Sequence, residues 1–161
     1  MPILDLPGLA TSAAKNRPLL GFDVGTKTIG LAVSDPGWRV ASPLTVIARA
    51  KWPQDLAAIA AIVKEREIGG LVVGLPLNMD GFEGPRAQSV RGFARNLLAQ
   101  PDMLGGDLPL VFWDERLSTA AVERFMLEDD MSRKRRGEVI DKAAASYILQ
   151  GALDALRERA G

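Results

Sequence analysis

Three acidic residues far apart in the chain, Asp23, Glu115 and Asp141, are the side chains best suited to chemistry. Asp23 ends the apolar run Leu19-Leu20-Gly21-Phe22, just before Gly25-Thr26-Lys27 and a second apolar run, Ile29-Gly30-Leu31-Ala32-Val33. Ionised Asp is seldom fully buried unless it is paired or bound to a metal. A carboxylate at the end of such a run therefore needs a partner. Glu115 lies just beyond the apolar stretch 108–113, and Asp141 precedes Ala145, Ile148, Ala152 and Leu156, which recur at helical spacing. Converging carboxylates repel one another when all are ionised, and a divalent cation removes that repulsion. Two such ions about 4 Å apart can activate a water and stabilise the leaving oxygen of an in-line phosphodiester attack. Each acid taken singly also has a structural reading. Asp23 can cap the Gly25-Thr26 turn, Glu115 can pair with Arg116 or a nearby Lys, and Asp141 suits the favourable dipole of an early helical position. Their joint placement favours a metal site, with Asp114 in a supporting structural role.

Composition narrows the chemistry further. The 161 residues include neither Cys nor His. This excludes disulfides, thiolate metal sites, a cysteine nucleophile, and any histidine base or zinc ligand. An enzyme with this inventory works through carboxylates, Lys, Ser, Thr, Tyr or Arg, and an oxygen-only donor set favours Mg²⁺ or Mn²⁺. A chain that is 47% hydrophobic and 25% charged is ordinary for a soluble globular domain. Zero net charge weighs slightly against sequence-blind nucleic-acid binding, but the charges are unevenly spread. The acidic run Glu128-Asp129-Asp130 is followed closely by the basic run Arg133-Lys134-Arg135-Arg136. No apolar run approaches the length of a membrane span, and Met1 to Arg17 lacks the pattern of a secretory signal. The expectation is a cytoplasmic protein with no membrane partner.

The elements that must bring the acids together can be read from periodicity. Residues 1–17 read as a flexible extension, and 18–161 as a single domain. Residues 18–24 and 28–35 read as an antiparallel hairpin. Residues 38–48 follow as a third strand, with Pro43 marking an irregularity or an edge. A helix is expected from Asp55 to Glu67, a buried strand over 71–74, a long loop over 75–84, and a helix opening at Pro85. Another strand covers 108–113, a helix capped by Ser118 or Thr119 runs to about Leu127, and a last helix runs from about Gly137 to Arg159. Three opening strands followed by strand–helix alternation imply a mixed α/β sheet, its first three strands antiparallel and the rest parallel, with helices on both faces. Ligand sites in such sheets form at the carboxyl ends of strands, so Asp23 and Glu115 should share a rim. The loop with Asn78 and Asp80 should reach it too. Lys27, Asn78, Arg86, Arg116 and the run with Arg133, Arg135 and Arg136 are the candidates for substrate phosphates; each also has a structural reading as loop scaffold or solvated charge. The tryptophans read as packing residues.

Five motifs carry a family resemblance. They are Gly21-Phe22-Asp23-Val24-Gly25-Thr26-Lys27-Thr28-Ile29-Gly30, Val73-Gly74-Leu75-Pro76-Leu77-Asn78-Met79-Asp80-Gly81, Glu83-Gly84-Pro85-Arg86-Ala87, Asp114-Glu115-Arg116-Leu117-Ser118-Thr119, and Asp141-Lys142-Ala143-Ala144-Ala145 with Ile148-Leu149-Gln150. In this order they resemble the YqgF/RuvX family, from about Leu19 to Leu156. The resemblance implies an RNase H-like fold with a five-stranded mixed sheet. It also implies a Holliday-junction-resolvase-like nuclease that trims the small-subunit (16S) ribosomal RNA precursor, with junction resolution as the alternative. By motif, the family's acids fall on Asp23, Glu115 and Asp141. Partners implied are precursor rRNA or branched DNA and ribosomal particles, with the protein a monomer or homodimer. The chain departs from the family at Thr28, where a basic residue is common, at Phe82, where a small hydroxyl residue is common, and in its longer N-terminal segment. Two other classes are open. One is an ATP-binding domain of the actin and sugar-kinase type, which also opens with an Asp-x-Gly-Thr hairpin but needs a longer chain and a second glycine-rich hairpin. The other is a non-catalytic RNA-binding assembly factor, which has no need to cluster acids.

Overall fold

Residues 1–17, expected to be a flexible extension, instead contribute two elements to the fold. The computed structural model describes the backbone of residues 3–78, 80–117 and 133–160, and side-chain surroundings over 5–78, 80–117 and 143–158. Strand β1 (Ile3–Leu4) leads into helix α1 (Leu6–Ser12), which Asp5 caps by accepting from the Gly8 N–H at 2.9 Å. Leu9 of α1 is fully buried. The reading as a loose tail failed because a short helix with one deeply buried leucine leaves little periodicity to detect.

The expected hairpin is present as β2 (Leu19–Val24) and β3 (Thr28–Ser34), paired antiparallel with Asp23 opposite Gly30. The Gly25 N–H donates to the Thr28 carbonyl at 2.8 Å and closes the turn. Strand β4 (Ala41–Ala48) pairs with β3, and its register shifts where Leu31 and Ala32 face Thr45 and Pro43. This is the irregular edge strand that Pro43 implied, since proline has no N–H for the ladder. Helix α2 (Trp52–Glu65) begins three residues before the expected Asp55, with Pro53 in its first turn. Strand β5 (Gly70–Leu75), α3 (Pro85–Leu98), a short α4 (Pro101–Leu104) and β6 (Leu110–Asp114) follow. A single 3₁₀ turn holds Glu115–Leu117. The last helix, α5, spans Arg133–Ala160. Arg133 to Arg136 therefore begin that helix instead of forming a loop before it, because straight-chain Arg and Lys are good helix formers. The helix expected over about 119–127 lies outside the described residues.

The sheet order is β1-β6-β5-β2-β3-β4. The five expected strands form the expected mixed sheet, with β2, β5 and β6 parallel and β3 antiparallel to both neighbours. The two-residue β1 adds a sixth, parallel to β6. One sheet face carries Leu20, Phe22, Val24, Leu71 and Val73 against α2 and α3; the other carries Leu19, Val72 and Val111 against α1 and α5. Among the described residues no helix is long and apolar enough to cross a membrane.

Glycine lets α5 seat closely. A Cβ at Gly21 would lie 2.8 Å from Leu149 Cβ and 3.3 Å from the Ala145 carbonyl oxygen. The helix thus lies almost on the β2 backbone beside Asp23, nearer than any residue with a side chain would permit.

Candidate active site at the carboxyl rim

The carboxyl ends of the parallel strands deliver the site. In β2 the alternation puts Leu20, Phe22 and Val24 toward α2 and α3, so Gly21 and Asp23 face α5. Asp23 is only 7% exposed, yet it is one residue from the end of its strand. It has an interaction partner and is not an isolated charge. Phe22 aligns with Val73 and Val73 with Phe112, while Gly74 aligns with Trp113 and Leu75 with Asp114. Glu115 follows in the 3₁₀ turn, half-buried and also partnered. Asp23 and Glu115 therefore share one rim, as the strand-end argument predicts.

Helix α5 runs away from that rim, with its N-terminal part nearest to it. Gln150 accepts from the Ala41 N–H at 2.8 Å and donates to the Arg39 carbonyl at 3.0 Å, and Arg157 also reaches Arg39, all at the far end of the sheet. Ala145 and Leu149 sit over Gly21 in the middle of β2. The N-terminal direction of α5 is therefore the carboxyl-rim direction. Asp141 is one turn before Ala145 on this helix; its side chain, like those of Arg133, Arg135 and Arg136, lies outside the described residues. Among the described residues no group of three acids could hold a metal.

Asp114 and Arg116 form a pair that the sequence did not specify. Three guanidinium–carboxylate contacts join them, the shortest 2.7 Å, and the Arg116 backbone N–H adds a fourth bond at 3.0 Å. Hydrogen bonding from Arg116 holds the Asp114 carboxyl below its usual range. Arg116 also donates to the Asn78 carbonyl at 3.3 Å. It therefore clips the loop after β5 to the end of β6. Asn78 itself organises that loop: its N–H donates to the Phe82 carbonyl at 3.0 Å and its carbonyl accepts from Gly81 at 2.9 Å. Glu83 ties the loop to α3 through Arg91 at 2.5 Å, and Arg91 lies over the Phe112 ring. At the tip, Phe82 is 73% exposed.

Of the other expected cations, Lys27 is exposed in the β2–β3 turn, and Arg86 donates to the Val24 carbonyl at 3.3 Å. Sequence reasoning missed Arg49. It follows β4, and its Nη1 donates to the Gly25 carbonyl at 2.7 Å. The signal was available, since β4 ends at the same rim as β2 and a charged residue just past a strand end falls under the rule that located Glu115. The tryptophans pack as expected: Trp52 meets Phe93 edge-on at 5.6 Å, and Trp38 and Trp113 border the α5 side of the core.

This rim can gather carboxylates on one side of the β2–β3 turn and cations around it, an arrangement suited to phosphodiester chemistry. Comparison with known proteins agrees. The family model described as RuvX, Holliday junction resolvase, matches residues 17–155. A protein of Rhodospirillum centenum named "Putative pre-16S rRNA nuclease" is 58% identical over 98% of this chain and 84% of its own length. A protein of the same name from Roseobacter denitrificans is 60% identical over 88% of this chain and 85% of its own. In structure, the chain is similar to Thermus thermophilus RuvC in complex with a Holliday junction substrate, with a TM-score of 0.54 at 15% identity, covering 90% of this chain and 96% of that one. That likeness establishes the RNase H-like fold. With the family model spanning most of the chain, the protein belongs to the RuvX family of Holliday-junction-resolvase-type nucleases.

Proposed function

We propose that residues 18–161, with β1 and α1 packed onto them, act as one nuclease domain, a metal-dependent endonuclease that hydrolyses phosphodiester bonds in maturation of the 16S rRNA precursor in the cytoplasm. The single observation that carries this reading is Asp23, a carboxylate 7% exposed at a sheet rim, facing the helix that bears Asp141. A carboxylate buried this deeply needs partners that offset a desolvation cost of several kcal/mol; Asp23 has one, and a cation shared with Glu115 and Asp141 would add to that match. The names of close relatives support the same substrate.

Asp23, Glu115 and Asp141 form an all-oxygen donor set that fits Mg²⁺ or Mn²⁺. When bound, the cation neutralises these carboxylates and supplies Lewis-acid activation for hydrolysis at phosphorus. The chain's own residues orient the parts. The Gly25 turn fixes the end of β2, Arg116 holds the loop after β5 beside Glu115, and the glycine at position 21 seats α5 against Asp23. The basic start of α5, with Arg133, Arg135 and Arg136, adds positive charge for the substrate backbone.

The test is a Mg²⁺- or Mn²⁺-dependent cleavage assay comparing 16S rRNA precursor with a four-way DNA junction, with the triple Asp23→Asn, Glu115→Gln, Asp141→Asn variant as control. Cleavage of the precursor by wild type and its absence in the variant are expected. Preference for the junction, with the paired incisions of a homodimer, would assign junction resolution instead. Wild-type RNA binding without cleavage in either metal would leave an assembly factor.

A further inference from the structure

Two arginines grip consecutive peptide units directly after Asp23. Arg86, in the first turn of α3, donates to the Val24 carbonyl, and Arg49, after β4, donates to the Gly25 carbonyl. The Arg49 backbone N–H also donates to the Lys27 carbonyl at 2.8 Å, so its main chain is fixed against the same turn. Its guanidinium lies 5.9 Å from the centroid of Phe93, which is itself braced edge-on by Phe22 and Trp52. Lys27 is exposed at the tip of the turn.

Three cations thus surround one turn, and among the described residues no carboxylate pairs with Lys27, Arg49 or Arg86. Two other arginines among the described residues are neutralised: Arg91 by Glu83, and Arg116 by Asp114. A guanidinium has five N–H donors in a planar fork, and Arg49 and Arg86 each spend one on a backbone carbonyl. Among the described residues no carboxylate meets the remaining donors. Anchored on a carbonyl and an aromatic face, the Arg49 guanidinium has little rotamer freedom left to lose on binding.

We propose that Lys27, Arg49 and Arg86 form a phosphate site. It grips the sugar–phosphate backbone of a nucleic-acid strand as it passes over the β2–β3 turn, on the side of the turn away from the face that carries Asp23. This proposal rests on the nuclease reading for the identity of the strand. Phosphate contacts of this type fix register without reading sequence, so the site sets where the strand lies relative to the carboxylates.

Binding of a fluorescein-labelled single-stranded RNA of precursor sequence is measured by anisotropy across a salt series, in an Asp23→Asn background that prevents cleavage. Arg49→Gln and Arg86→Gln are each expected to weaken binding about tenfold, as loss of a charged hydrogen bond does, and to reduce the salt slope by about 0.7. Arg49→Lys keeps the charge and is expected to restore the slope. If Arg49→Gln fails to fold, Arg86→Gln carries the test, because Arg86 is exposed and makes one bond to the fold. Wild-type affinity and slope in both glutamine variants, even with slower cleavage in the otherwise wild-type chain, would overturn the proposal and leave the arginines as braces for the turn. The nuclease reading fails separately, if the otherwise wild-type chain cleaves no nucleic acid while the salt slopes respond as expected.

Discussion

Gly21→Ala tests whether the seating of α5 governs the chemistry. The added Cβ would lie 2.8 Å from Leu149 Cβ, whereas carbon atoms pack at about 3.5–4.0 Å, so the helix must lift by about 0.7–1.2 Å. Rotation of a side-chain tip does not relieve this contact, because the opposing atoms are a Cβ and the Ala145 carbonyl oxygen. Overpacking of this kind costs about 1–3 kcal/mol, and the reduced freedom of the unfolded chain returns about 0.4–1 kcal/mol. A net loss of about 1–2 kcal/mol lowers Tm by about 2–8 °C in a domain of this size. The larger effect is expected on rate. Asp141 is one turn from Ala145, and a displacement near 1 Å at a reacting centre costs about 100-fold. Single-turnover cleavage well below Tm, with thermal unfolding of the same samples, reads both quantities. Gly70→Ala is the control. Its Cβ meets Leu19 Cδ2 at 2.9 Å and Leu9 Cδ1 at 3.1 Å, two tips that can rotate, at the opposite end of the sheet. It should lose stability without losing rate. A Gly21→Ala protein with a lowered Tm and the wild-type rate would refute the coupling, as would equal rate losses in both variants.

Asp23→Asn should abolish metal-dependent cleavage while circular dichroism and Tm show a folded protein; full activity in that variant would remove Asp23 from the mechanism. Leu9→Ala should destabilise by about 2–3 kcal/mol, the low end for a buried leucine because the edge of the fold can relax, read as a lower urea midpoint at unchanged m; an unchanged midpoint would show that α1 does not belong to the cooperative unit. The Asp114–Arg116 clip has a defined pH window. Because the Asp114 pKa is depressed, its contribution is present above the ordinary carboxyl value of 3.8 and is lost as pH falls through the lower folded value. Limited proteolysis of the loop 76–84 should accelerate in that window in wild type and be fast at all pH values in Asp114→Asn. A wild-type loop equally resistant at both ends of the window would show that the clip does not hold it.

Short-range information made much of this protein readable in advance. The hairpin at Asp23 was legible because two apolar runs flank a glycine turn, and the edge character of β4 followed from one residue, Pro43, that lacks an N–H. The rim position of Glu115 followed from strand direction alone. Other features depend on contacts between distant residues, which leave no local pattern. Arg116 could pair with Glu115 or Asp114 by sequence, and the turn after β6 selected Asp114. Arg49 resembles any surface arginine until the end of β4 is laid beside Gly25. The N-terminal helix is held by Leu9 against elements more than 60 residues away. Residue types thus decided which chemistry is available, since a chain without Cys or His must work through oxygen ligands and fixed cations. Tertiary structure decided which cations stay uncommitted and how closely α5 approaches β2, because both are set by which backbones pack together and not by any residue's own preference.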